Sequence, residues 1–222
     1  MVFEDQIVNA KRAKKNKFMS GILLPTAYLP PVQYYSKLIA HPEIIVEHFE
    51  HFPKQTYRNR TYIYSPNGMQ LLVVPLNSRS ERTITKDIRI SYNDPWQNLH
   101  WRSIEAAYRR SPYFEYYEDD LTPFYTEKKF EFLIDLNMAM IEFINSLLKI
   151  KMACSPTSSY EKNYEDIIDL RTAISPKEEL SADTSFKIKE YSQVFDNKHG
   201  FIPNLSIIDL LFNHGPRSIE YL

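Results

Sequence analysis

The chain ends in a segment that is stable only when it is surrounded. Over 205–213, Leu205, Ile207, Ile208, Leu210, Leu211 and Phe212 would cover most directions around a helix axis. A helix that is hydrophobic nearly all round is buried, so the rest of the chain must enclose it. Asn204 is placed to cap its start, Gly215 suits the left-handed position after its last turn, and Pro216 prevents continuation. Ser206, Asp209 and Asn213 fall at i, i+3 and i+7 and form one polar seam. An ionised carboxylate cannot be kept there alone, so Asp209 must be paired, hydrogen-bonded or protonated. Arg58, Arg60 and His100 are the expected partners. His199-Gly200, just upstream, adds a histidine where the backbone can bend.

A chain of 222 residues can build one such enclosure, and a globule of this size buries roughly 70% of the surface its unfolded chain exposes. The filler is aromatic, with 16 Tyr, 13 Phe and 2 Trp, while only 4 glycines argue against glycine-rich phosphate loops. A net charge of −1 supplies no field for a nucleic-acid partner or an anionic membrane. The exception is the basic run Lys11–Lys17. Residues 1–21 read as a basic, disordered leader, or as an extension upstream of an alternative start at Met19. A nucleic-acid-binding tail is the sharper reading of that run. Gly21-Ile22-Leu23-Leu24 is stopped by Pro25, so it is no signal core, and no stretch is expected to span a membrane. A single cysteine, Cys154, excludes an internal disulfide framework and fits a reducing cytoplasm.

Ile22–Leu24 reads as a short buried strand, Pro30-Pro31 as the opening of a helix, and Ile44–Val46 as a second strand, which together suggest a βαβ unit. Thr61–Tyr64 and Met69–Val74 flank Ser65-Pro66-Asn67-Gly68, a hairpin signal. Lys86–Ser91 alternates like a half-exposed strand. Asp94-Pro95 with Gln97 resembles a capping box that starts a helix to about Arg110, and Lys128–Ile150 has the period of the longest helix. Residues 151–190 are polar and read as a surface excursion. The expectation is one α/β domain over 22–222, a mixed sheet with packed helices.

Three constellations could carry chemistry. In Tyr57-Arg58-Asn59-Arg60, an extended backbone would put Arg58 and Arg60 on one face, as a receptor for phosphate or carboxylate or as a plain solvated pair. His100 lies on the inward stripe with Ile104, Ala107 and Tyr108, either as a neutral general base or as a packed core histidine. The seam of Ser206, Asp209 and Asn213 either serves a ligand or pins its helix. Glu47-His48 with Glu50-His51 is a weaker set that reads better as a polar strand end than as metal ligands, so no metal is expected. Walker, nucleophile-elbow and zinc-protease patterns are absent.

Four segments in order resemble the WbqC-like family. They are Tyr28-Leu29-Pro30 before an aromatic helix, Asn59-Arg60, Trp96 and His100 with Pro112-Tyr113-Phe114, and Leu205 to Asn213. The resemblance covers about residues 22–222, less 151–190. Relatives often carry a His-Gln-Pro triplet at the first strand, where this chain has Leu24-Pro25-Thr26, and an aspartate after the second, where it has Glu47-His48. The chain therefore looks like a divergent branch. Some members are encoded among O-antigen or other surface-polysaccharide genes, which implies an activated or amino sugar as substrate. The expectation is group transfer, with His100, Asp209 and His199 as catalytic residues. Arg58, Asn59, Arg60, Asn213 and Ser206 would contact a small anionic or sugar-linked substrate. The alternative is a binding module that keeps the pocket without the chemistry. Neither the cofactor nor the oligomeric state follows from the sequence.

Overall fold

The computed structural model describes residues 21–222; the basic run at 11–17 and the alternative start at Met19 lie outside the described residues. Strand β1 (Gly21–Pro25) is followed by helix α1 (Val32–Ala40) and strand β2 (Glu43–Glu47), which pairs parallel with β1 from Gly21↔Glu43 to Pro25↔Glu47. This is the βαβ unit expected from the sequence, and Pro31 stands at the helix N-cap. Every residue of β1 is buried, as an apolar strand covered on both faces should be.

The sheet then grows from an unexpected source. Strands β5 (Ala153–Pro156) and β6 (Ile168–Asp169) complete a parallel order β5-β2-β1-β6. Both lie within 151–190. That stretch is largely exposed, yet it supplies both edges of the sheet, because a two- or four-residue edge strand needs backbone pairing more than an apolar pattern.

The hairpin forms as expected. Strands β3 (Arg60–Ser65) and β4 (Gly68–Val73) pair antiparallel, closing at Ser65↔Gly68, and Gly68 takes φ 95°. Residues 86–91 are no strand. A 3-10 turn at Thr85–Asp87 and isolated bridges of Arg89 to Phe132 and Leu76 to Ile90 hold them. Helix α2 (Trp96–Tyr108) has Pro95 rather than Asp94 at its N-cap and so no side-chain cap, and Gln97 donates to the Phe124 and Glu127 carbonyls at 2.9 and 2.7 Å. Short helices α3 (Phe114–Leu121) and α4 (Pro123–Thr126) follow. Helix α5 (Leu133–Leu148) is shorter than its apolar period suggested.

After the turn α6 (Asp196–His199), helix α7 (Ile207–His214) enters the core with Ile207, Ile208, Leu210, Leu211 and Phe212 at 1% exposure or less. Its entry is stitched by backbone bonds. Val32 N–H donates to Leu205 O at 3.0 Å, Ile207 N–H to Pro30 O at 2.8 Å and Ser206 N–H to Tyr62 O at 2.8 Å. Asn204 does not cap α7. It takes φ 55°, and its Oδ1 accepts the Gln33 N–H at 2.8 Å, capping α1 instead. No membrane-length apolar helix occurs among the described residues.

Gly215 ends α7 at φ 55°, and a Cβ there would meet the Tyr113 ring at 2.5 Å. Gly215→Ala is expected to cost about 1–3 kcal/mol in urea unfolding, from the backbone alone or more with the ring displaced. An unchanged midpoint would show that the turn relaxes freely.

Candidate functional site

Open parallel sheets offer ligands the crevice beyond the carboxyl ends of their strands, where the strand order reverses. Here β1 has β2 on one side and β6 on the other, and the strands end at Pro25, Glu47, Pro156 and Asp169. That edge holds a dense set of buried charges.

Glu47 is 0% exposed. Its Oε2 accepts Arg171 Nη1–H at 2.9 Å, while Oε1 accepts the Thr157 hydroxyl at 3.0 Å and the Phe49 N–H at 2.7 Å. Arg171 also donates Nε–H and Nη2–H to Asp169, the latter at 2.6 Å, and reaches the carbonyls of Glu161 and Lys162 at 2.9 and 3.2 Å. All its donors are thus engaged, which a fork of fixed geometry achieves only in a prepared site. Tyr160 and Tyr164 cover its faces, 5.2 and 5.4 Å away. Burial would raise the Asp169 carboxyl, but the Arg171 hydrogen bonds outweigh it and hold its pKa below the ordinary value.

Beside this lies a second pair. Arg58, 3% exposed, donates Nε–H to Glu50 at 2.6 Å and Nη2–H to the Arg171 carbonyl at 3.2 Å. Burial raises the Glu50 pKa, and Arg58 opposes that rise. Asn137 of α5 donates to Arg58 O at 2.8 Å and to the Thr26 hydroxyl at 3.1 Å. Its Oδ1 is buried without a partner. Three carboxylates (Glu47, Glu50, Asp169) therefore meet two guanidiniums at this edge, beside one unused acceptor.

The residues anticipated from the sequence are placed differently. Arg58 and Arg60 do not share a face, because β3 starts at Arg60 and Arg58 sits in the preceding turn. Asn59 is spent on Val74, donating to its carbonyl at 3.0 Å. His100 sits in an aromatic cage, its Nδ1 2.9 Å from the Tyr28 hydroxyl, which in turn lies 3.0 Å from Tyr125. Burial lowers its pKa to about 4, against a hydrogen bond that its ring N–H donates to the Val73 carbonyl, which favours the proton. His199 is exposed and 3.0 Å from Pro66 O. Ser206 donates to Leu29 O at 3.0 Å, and Asn213 donates back to Asp209 O at 2.7 Å. His100, His199 and Asp209 make no hydrogen bond with one another.

Asp209 is fully buried and hydrogen-bonded, but not by Arg58, Arg60 or His100. Its Oδ2 accepts the Tyr191 hydroxyl at 2.8 Å and Gln193 Nε2–H at 2.9 Å. The Tyr108 hydroxyl is near enough to couple with the carboxylate, yet Oδ1 has no partner in hydrogen-bond geometry. Burial raises the Asp209 pKa to about 6, with the Tyr191, Tyr108 and Gln193 contacts opposing it. The Glu47-His48 and Glu50-His51 set does not converge either, since each glutamate faces an arginine and His51 Nδ1 lies 2.9 Å from Arg82 O. Among the described residues no three or more of His, Cys, Asp and Glu are grouped so as to hold a metal ion.

The fold and this edge define an α/β protein with a buried cluster of charged side chains at one end of a parallel sheet. Residues 26–221 match the WbqC-like protein family, and the chain belongs to that family. It is also 26% identical over 226 aligned positions to a protein of Mycobacterium tuberculosis (strain ATCC 25618 / H37Rv) described as "Uncharacterized protein Rv1507c", covering 90% of this chain and 96% of that one. No solved structure matches it significantly.

Breaking the buried network should be costly. Arg171→Met leaves Glu47 buried and uncompensated and is expected to destabilise by about 3–5 kcal/mol, with part recovered by adding Glu47→Gln. Equal stability of the single and double variants in denaturant titrations would show that the pair is not coupled.

Asp209 sets a pH signature. Its folded pKa lies above the ordinary 3.8, so its contribution is full below pH 3.8 and lost as pH rises through about 6. His100 acts oppositely, with stability full above its ordinary 6.5 and lost as pH falls through about 4. The two slopes offset in the wild type. Asp209→Asn removes the aspartate slope and leaves the others, so the variant should gain about 3 kcal/mol on the wild type between pH 4 and 7. A pH-independent difference would refute the raised carboxyl.

Proposed function

We propose that the chain is an enzyme of surface-polysaccharide assembly that binds an activated or amino sugar at the carboxyl edge of β1 and β2, for group transfer. The observation that carries this reading is the buried edge itself. Three carboxylates against two guanidiniums, with the Asn137 Oδ1 acceptor unused, suit a ligand rich in hydroxyl and ammonium donors. An amino sugar has that chemistry. Thr26 and Asn137, fully enclosed where β1 ends, would present their polar atoms to such a ligand once this end of the sheet opens, while Arg58 and Arg171 hold the carboxylates in place. The genomic setting of some members of the WbqC-like family supports the same substrate class.

A second reading, a binding module without turnover, is favoured by one observation. His100, His199 and Asp209 each spend their hydrogen bonds on separate partners.

Thermal-shift measurements of the full chain with nucleotide amino sugars and their neutral-sugar counterparts separate these outcomes. A ligand at about 100 times its Kd adds about 2.7 kcal/mol, or roughly 5 °C or more for a chain of this size. The expected result is a larger shift with amino sugars, diminished in Thr26→Val. No shift with any sugar ligand would contradict the reading. A shift without product in the presence of acyl donors would favour the module.

A further inference from the structure

Arg60 stands opposite Val73 in the β3–β4 register, so the two side chains leave the same face of the hairpin. They open onto a surface cleft of about 330 Å³ whose wall also holds Lys54 and Arg79. That lining contains three cations and no carboxylate. The Arg60 side chain has no ion pair or hydrogen bond among the described residues, and its Nε is buried without a partner. The Arg79 guanidinium stacks over the Phe52 ring, 4.6 Å from its centre. Stacking uses the face of a guanidinium and leaves its N–H edge free. Lys54 lies at the rim, where an adjoining depression carries Glu81, 3.2 Å from its Nζ with both groups mostly exposed.

Two unspent guanidinium edges in one cleft call for an anion with more than two acceptor oxygens. One fork satisfies a carboxylate, whereas a tetrahedral phosphoryl group can accept from both. We propose that this cleft binds the phosphoryl group of a phosphate or diphosphate ester, with Arg60 and Arg79 as the recognising residues and Lys54 as a rim charge. The loop that leaves β2 joins the two places: Arg58 turns into the carboxyl-edge network, and Arg60, two residues on, faces the cleft. The proposal deepens the reading of a sugar-linked ligand by naming its handle, and it rests on that reading only for the sugar.

The test is isothermal titration of the full chain with inorganic pyrophosphate, which carries no sugar. Saturable binding is expected, weakened about tenfold or more in Arg60→Gln and in Arg79→Gln, and unchanged in Arg102→Gln on the separate groove beside α2. Absence of saturable binding, or equal binding by the Arg60→Gln/Arg79→Gln double variant, would overturn it. A measurement on the unaltered protein guards against misfolded variants. Pyrophosphate should protect Arg60 and Arg79 from an arginine-selective dicarbonyl reagent, mapped by mass spectrometry, and unprotected arginines would overturn the proposal. Protection by pyrophosphate with no preference among sugar nucleotides keeps the cleft and sinks the sugar. Sugar nucleotides that bind regardless of Arg60 and Arg79 do the reverse.

Discussion

The buried Glu47–Arg171 pair is the constraint on which the sheet's working edge depends. A fully enclosed carboxylate cannot be left alone, and its guanidinium comes from a position 124 residues along the chain. Because Arg171 also binds Asp169 and two carbonyls of 161–162, it clamps β6, the end of β2 and the intervening polar segment together. The shortness of β6 is thereby explained. Two paired residues are enough when Arg171, two positions further on, anchors the strand through charge.

The core and the edge divide the labour. Helix α7 supplies apolar bulk and is fixed by backbone bonds to Pro30, Val32 and Tyr62, while its aspartate meets Tyr191 and Gln193. This carboxylate is held by neutral donors rather than by a cation, so burial dominates and its proton is retained to higher pH. At Asp169 the Arg171 guanidinium dominates instead, and the carboxyl is held ionised. The same residue type thus takes opposite roles a short distance apart in the chain.

Much of this was legible locally. Burial of the last helix, the βαβ unit, the Asn-Gly hairpin and the need of Asp209 for partners all follow from short-range pattern. What was not legible were partners that pattern does not encode. Arg171 sits in a polar stretch with no periodicity, so nothing in the sequence alone marks it as the counter-ion of Glu47. Arg58 and Arg60 do not alternate as strand neighbours, because the strand begins only at Arg60 and Arg58 lies in the turn before it. Asn204 looked like the cap of the helix that follows it and instead caps α1, since its left-handed backbone aims the amide across the core.

The most direct measurement is a crystal structure of the full chain with a nucleotide amino sugar bound. Binding at the carboxyl edge requires the sugar beside Thr26 and Asn137, with a donor on the free Asn137 Oδ1. A sugar seated instead in the groove lined by Arg102, Arg110 and Phe195, with the edge untouched, would contradict the assignment.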